Sequence, residues 1–333
     1  MARSHFTLAA LATSAVPALD VAAAAAFGSV GRGDFDSALV TDREGQHFIV
    51  RVPRNPRAER EQDSDLAAIR ALSAGVRARL PFSVSSFAGS TPVASTRAIV
   101  YEFLYGSKAP LSSYGTGPDS LAASVGSAIG AIHSLPTSFI SDAGLPIQST
   151  GDGLRACITV MDRASATGLM PAALLSRWER ATEDAKLWQF QPTVIHGDLS
   201  SDSILSDDGQ VTGVLGWQEL RVGDPARDLQ WVLAASNPAI GDTVFGAYER
   251  VRGVGDRQLR QRAKLYSELE VAKWLLHGTE TRDTAIVDDA VAMLTNLAEA
   301  VGNDVMNPLS AHTMPTMAID EVEAFLDRTE RAV

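Results

Sequence analysis

The stretch VIHGDLSSDSILSDDGQVTGVLGWQEL, residues 194–220, constrains the fold more than any other part of the chain. A short apolar run, Thr193 to Ile195, enters a polar loop. Residues 204–215 then alternate around the turn sequence SDDGQ, which predicts a hairpin. Comparable alternation is otherwise confined to the first third of the chain, so this hairpin must be housed among helices. Asp198 follows the apolar strand end, where packing has no need of an acid. It is a candidate general base or nucleophile-orienting group, and it also reads as a turn-capping Asp that holds its own loop.

From Phe27 to Arg54 the alternating pattern predicts another β-hairpin, with REGQ as its turn and Gly28, Gly31 and Gly33 at its approach. Residues 58–74 read as a helix with Leu66, Ile69 and Leu72 on one face. TRAIVYEFLYG then reads as a buried strand broken by Gly106. This predicts a small sheet carrying one helix, followed by a connector around residues 105–117. Pro118 and Asp119 open a helix whose Leu121, Val125, Ile129 and Ile132 form one stripe, the pillar of a second, helical region. Further helices are expected at residues 171–189, 224–235, 240–252, 256–278 and 283–301, with a short one after Pro308 and Pro315. The Ala-rich start is only weakly apolar and barely basic, so it reads as the first helix and strand rather than as a secretory leader.

Acids outnumber bases 40 to 29, a formal charge of -11, which argues against a nucleic-acid partner. No run of about 18 strongly apolar residues occurs, so no membrane partner is expected. Cys157 is the single cysteine, which excludes an intrachain disulfide and a thiolate metal cage; a packed, inert thiol and a reducing cytoplasm fit best.

GRGDFDSALVTDREGQHFIVRVPR, LAASVGSAIGAIHSLP, VIHGDLSSDSIL and GWQELRVGDPARDLQWV stand in an order and spacing that resembles the aminoglycoside and macrolide phosphotransferase family over almost the whole length. FIVRVPR and YSELEVAKWLLHG are similar to the macrolide branch. The resemblance implies an α+β, protein kinase-like two-lobed fold. Residues 1–105 would be a nucleotide-binding lobe, a small antiparallel sheet with one helix, and residues 106–333 a larger, mainly helical lobe with the catalytic loop and acceptor pocket. It implies transfer of the terminal phosphate of ATP or GTP to a hydroxyl of a macrolide- or aminoglycoside-like small molecule. Asp198 would be the base, His196 the support of its loop and Asp228 a structural tie to it, with Mg²⁺ held at positions 203 and 216.

On the nucleotide side the resemblance places Arg51 where kinases use Lys to hold phosphates, although Arg51 also reads as a solvated strand residue. Asp65 best matches the helix carboxylate that pairs with it. Gly31 and Gly33 would let backbone N–H groups approach phosphates, or simply form a tight turn, and Glu102 to Leu104 would offer main-chain groups to a purine.

The chain departs from the pattern at the metal. Ser203 offers a neutral hydroxyl, Gly216 offers no side chain, and Gln218 replaces the Glu of the family's Asp-Trp-Glu run, whereas Mg²⁺ favours carboxylate oxygens. Asp202 is displaced by one residue, Asp207 and Asp208 read as turn residues, and Asp224, followed by Pro225, reads as the start of the next helix. Two functional expectations follow: a small-molecule kinase, or a catalytically inactive protein of the same fold that binds a ligand or nucleotide. His133 reads as a packing or helix-end residue. Trp274, Leu275 and Leu276 read as a helix stripe, with the lining of an apolar acceptor as the alternative.

Overall fold

The computed structural model describes residues 3–28, 33–253, 255–303 and 309. Alternation in the first third becomes an antiparallel sheet of β1 (Val21–Ala26), β2 (Phe35–Asp42), β3 (His47–Pro53), β5 (Phe87–Val93) and β6 (Thr96–Glu102), in the spatial order β1, β2, β3, β6, β5; the short β4 (Ser83–Val84) pairs elsewhere. Because side chains alternate across a strand, Val40, Phe48, Val50, Val52 and Val100 share one face, covered by Leu8, Ala9 and Ala12 of α1 (His5–Ala15). The other face carries Ile99 and Tyr101 against Leu66 and Ile69 of α2 (Pro56–Ala71). Arg51, between Val50 and Val52 and opposite Ile99, therefore lies on the α2 side.

Asn55 caps α2 by accepting the Ala58 N–H, and Pro56 opens its first turn. The Ala-rich start forms the helix and strand read from it, so the small lobe carries α1 as well as α2, with the short α3 (Ala74–Arg77) besides; both faces of the sheet are apolar and each needs cover.

Gly106 leads into the large lobe with φ 141°, and a Cβ there would lie 2.4 Å from Thr212 Oγ1. Only glycine lets the connector run this close to the hairpin of β8 (Ile204–Asp207) and β9 (Gln210–Val214). β7 (Thr193–Ile195) pairs with β10 (Arg221–Gly223), and β4 runs parallel to β9, so the hairpin is accompanied by further short β pairings.

The predicted stripe of α4 (Leu121–His133) is buried throughout, and the helix packs closely on α8 (Pro238–Arg252). Around it stand α5 (Ser138–Asp142), α6 (Thr150–Ala166), α7 (Ala172–Glu183), α9 (Leu259–Thr281) and α10 (Thr284–Asn303). The helix expected at 224–235 is instead two 3₁₀ turns, Pro225–Asp228 and Gln230–Ala234. α6 was not anticipated, although Ser149 and Asp152 form a capping box at its start. Cys157 lies buried on that helix, and burial pushes its thiol up to about 12. The helix expected after Pro315, like Gly31, lies outside the described residues. No described helix is long and apolar enough to cross a membrane.

Candidate active site

A cleft of about 550 Å³ opens between the α2 side of the sheet, the connector and the β8–β9 hairpin. Among the residues nominated from sequence, Gly28, Gly33, Arg51, Asp65, Glu102, Leu104 and Gly216 line it. The Arg51 guanidinium sits 3.9 Å from the centroid of the Phe35 ring. Asp65 is buried, and its Oδ1 accepts the Trp217 N–H at 2.9 Å. Burial raises its carboxyl above the usual value, against the opposing pull of that N–H and of the Arg51 charge. Among the described residues Arg51 and Asp65 form no ion pair; the carboxylate instead anchors the segment after Gly216. At the end of β6, the N–H groups of Glu102 and Phe103 bond to Ser86 O and His47 O.

Asp198, His196 and Ser203 lie beside this cleft rather than in its lining. His196, fully buried, donates through Nε2 to Leu215 O at 3.0 Å and accepts the Asp198 N–H at Nδ1, 3.4 Å away. A neutral imidazole makes both bonds, and burial holds its pKa below the ordinary value, opposed by the Asp228 charge. Asp228 accepts the N–H groups of His196 and Gly197, both at 2.7 Å, and the His133 Nε2–H at 3.1 Å. Burial alone would raise its carboxyl; the bond and charge of His133 and the Gly197 N–H outweigh burial and lower it. His133 is thereby the second support of the loop, held in turn by the Tyr248 hydroxyl 3.0 Å from Nδ1. A loop braced in this way presents the Asp198 side chain outward, where Gln218 Nε2 donates to its Oδ2 at 3.2 Å.

Asp224 is closed into a different network. It caps its own turn through the Ala226 N–H, accepts from Arg262 Nε at 2.8 Å and from the Tyr266 hydroxyl at 2.9 Å, and is 4% exposed. Trp274 donates to Asp289 of α10, and Leu275 and Leu276 are buried in the core.

The donor set does not fit Mg²⁺. Ser203 Oγ is turned to the Asp198 carbonyl, Gly216 has no side chain, Asp202 pairs with Lys108 at 3.5 Å and Glu219 with Arg221. Among the described residues no three His, Cys, Asp or Glu side chains are gathered as metal ligands. Gly216 itself adopts φ 79°, ψ 58°, the left-handed conformation in which Gly, Asn and Asp are favoured.

Sequence reasoning missed the roles of His133, Lys108 and Trp217, and noted Gln218 only as an absent acid. The one available signal was a lone histidine in the apolar stripe of α4.

The family model described as "Phosphotransferase enzyme family" (APH) matches residues 30–266. The apoenzyme structure of macrolide 2′-phosphotransferase MphH from Brachybacterium faecium superposes with a TM-score of 0.68 at 24% identity, over 86% of this chain and 97% of that one. The GDP complex of aminoglycoside 2′-phosphotransferase-IIIa gives 0.72 at 15% identity, over 90% and 100%. A curated relative, the uncharacterized protein YcbJ of Bacillus subtilis (strain 168), is 38% identical over 80 residues, which span 24% of this chain and 23% of that protein. With a family model over most of its length and a two-lobed fold to match, the chain belongs to the phosphotransferase enzyme family.

Proposed function

We propose that the chain binds ATP or GTP in the cleft between its lobes and passes the terminal phosphate to a hydroxyl of a macrolide- or aminoglycoside-like small molecule. Residues 1–105 would form the nucleotide lobe, and residues 106–333 would carry the loop and the acceptor pocket. One observation carries this reading: Asp198 is presented outward on a loop braced by buried Asp228 and is joined by a single hydrogen bond, through Gln218, to the segment that floors the cleft.

In the proposed reaction the acceptor hydroxyl gives its proton to Asp198 as its oxygen bonds to the terminal phosphorus, and the bond to the leaving diphosphate breaks. Arg51 grips phosphate oxygens from the sheet, and the Leu104 N–H faces the purine edge, since those of Glu102 and Phe103 are already bonded within the sheet. Neutral His196 and Asp228 hold the base in place. No step is assigned to Mg²⁺, whose expected ligands do not fit. The GDP held by the aminoglycoside relative supports a purine nucleotide, and the FIVRVPR and YSELEVAKWLLHG segments favour a macrolide acceptor.

A transfer assay with both nucleotides across macrolides and aminoglycosides tests the proposal. Asp198→Ala should lower transfer by about 10²- to 10⁴-fold with nucleotide affinity kept. A second reading, a ligand-binding protein without turnover, is favoured by Gly216 and Gln218. It stands if wild type binds nucleotide yet transfers to no acceptor, and it falls if Asp198-dependent transfer is measured.

A further inference from the structure

The 3₁₀ turn Trp217–Glu219 starts on Gly216, a left-handed residue with no side chain to cap it. The cap comes from α2 instead: Asp65 Oδ1 accepts the Trp217 N–H at 2.9 Å, and both residues are buried. The Trp217 ring is fixed from another direction, with Nε1 donating to Val214 O at 2.9 Å and the ring centroid 4.8 Å from that of His196. The next residue, Gln218, donates through Nε2 to Asp198 Oδ2 at 3.2 Å. Two hydrogen bonds and the peptide between Trp217 and Gln218 therefore join α2 to Asp198.

The ring fixes where Trp217 sits. Its capped N–H fixes how the chain runs on to Gln218, since a glycine at 216 does little to restrict the backbone. Arg51, the partner expected for Asp65, is stacked on Phe35. What Asp65 gives this segment is thus an acceptor oxygen. An Asn in its place keeps that oxygen and loses the charge, whereas a Leu of similar size keeps neither.

We infer that Asp65 is a positioning residue for the proposed base: by capping the Trp217 N–H it sets the Gln218 carboxamide against Asp198, and it does so through its oxygen rather than through a charge opposite Arg51. The inference rests on the reading of Asp198 as the base of a phosphoryl transfer.

The test is transfer kinetics together with calorimetric nucleotide affinity, on the full chain carrying Asp65→Leu, Asp65→Asn, Gln218→Ala, or Asp65→Leu with Gln218→Ala. Asp65→Leu should lower kcat by about 10- to 100-fold while nucleotide affinity stays within about threefold, and Asp65→Asn should recover kcat to within about threefold of wild type. Gln218→Ala should lower kcat by a similar factor, and adding Asp65→Leu to it should cost little more, because both act on one link. Equal losses with Asn and Leu, or nucleotide binding weakened about tenfold by Asp65→Asn, would show that the charge is what acts and would overturn the inference. Losses that multiply in the double variant would overturn it too. Should Asp65→Leu fail to fold, a kcat lost in Asp65→Asn or unchanged in Gln218→Ala does so. If wild type phosphorylates no acceptor, the transfer reading falls, and the link is read from the Gln218 side-chain amide signal in correlation spectra, assigned by its loss in Gln218→Ala. Asp65→Leu should shift that signal and Asp65→Asn should not; either result reversed would overturn the link.

Discussion

His196 uses both ring nitrogens in the fold, so a second proton would cost the Asp198 N–H its acceptor as well as burying a charge. Its folded pKa lies below the ordinary histidine value of 6.5, so the unfolded chain takes up a proton that the fold does not. Its burden is absent above that pH and grows as pH falls below it. Asp228 acts in the acid range: its folded pKa is below 3.8, so its stabilisation is present above that value and is lost as pH falls through the depressed one. Urea midpoints measured against pH should therefore decline in two stages. His196→Gln should flatten the first and Asp228→Asn the second. Asp228→Ala should cost about 3–5 kcal/mol at neutral pH, because it strips a buried histidine and two backbone N–H groups of their acceptor. Asp198 was legible as a candidate because it is an acid in a place where packing needs none. Its partner Gln218 was not, since the two lie 20 residues apart and nothing in their spacing marks a contact.

At the scale of elements, α2 carries Asp65 to the cleft, and Arg77 holds the end of that helix. The Arg77 guanidinium donates to Leu72 O at 2.6 Å, to Ile69 O at 2.9 Å and to Val84 O at 2.9 Å, stapling the helix terminus to β4. Arg77→Ala should lower stability by about 1.5–3 kcal/mol in denaturant unfolding. It should also slow transfer, because Asp65 loses its fixed position. The pairing of α4 with α8 depends on close approach: a Cβ at Gly126 would lie 2.2 Å from Val244 O. Gly126→Ala should cost about 1–3 kcal/mol, read as a lowered melting temperature. The pillar helix was legible because its stripe repeats at helical spacing. The 224–235 segment differs from the single helix expected because Asp224 and Asp228 are drawn to Arg262 and to the Asp198 loop, and those attachments replace a continuous helix with two tight turns.

Across the whole molecule, the cleft takes its walls from both lobes, so a bound nucleotide should stabilise the fold as a unit. At about 100 times its Kd, ATP should add about 2.7 kcal/mol, visible as a concentration-dependent rise in melting temperature. Absence of any rise with either ATP or GTP would count against the cleft as a nucleotide site. The sequence by itself determined the alternating first third, the helical remainder, the loop that bears Asp198 and the missing acid at 216, because periodicity and loop composition belong to contiguous residues. Only the tertiary structure decided that Asp65 anchors Trp217 from 152 residues away, that His133 braces the loop through Asp228, 95 residues on, and that Gln218 bonds to Asp198. Those outcomes depend on which polar groups burial leaves in need of a partner, and that is settled only when distant segments pack together.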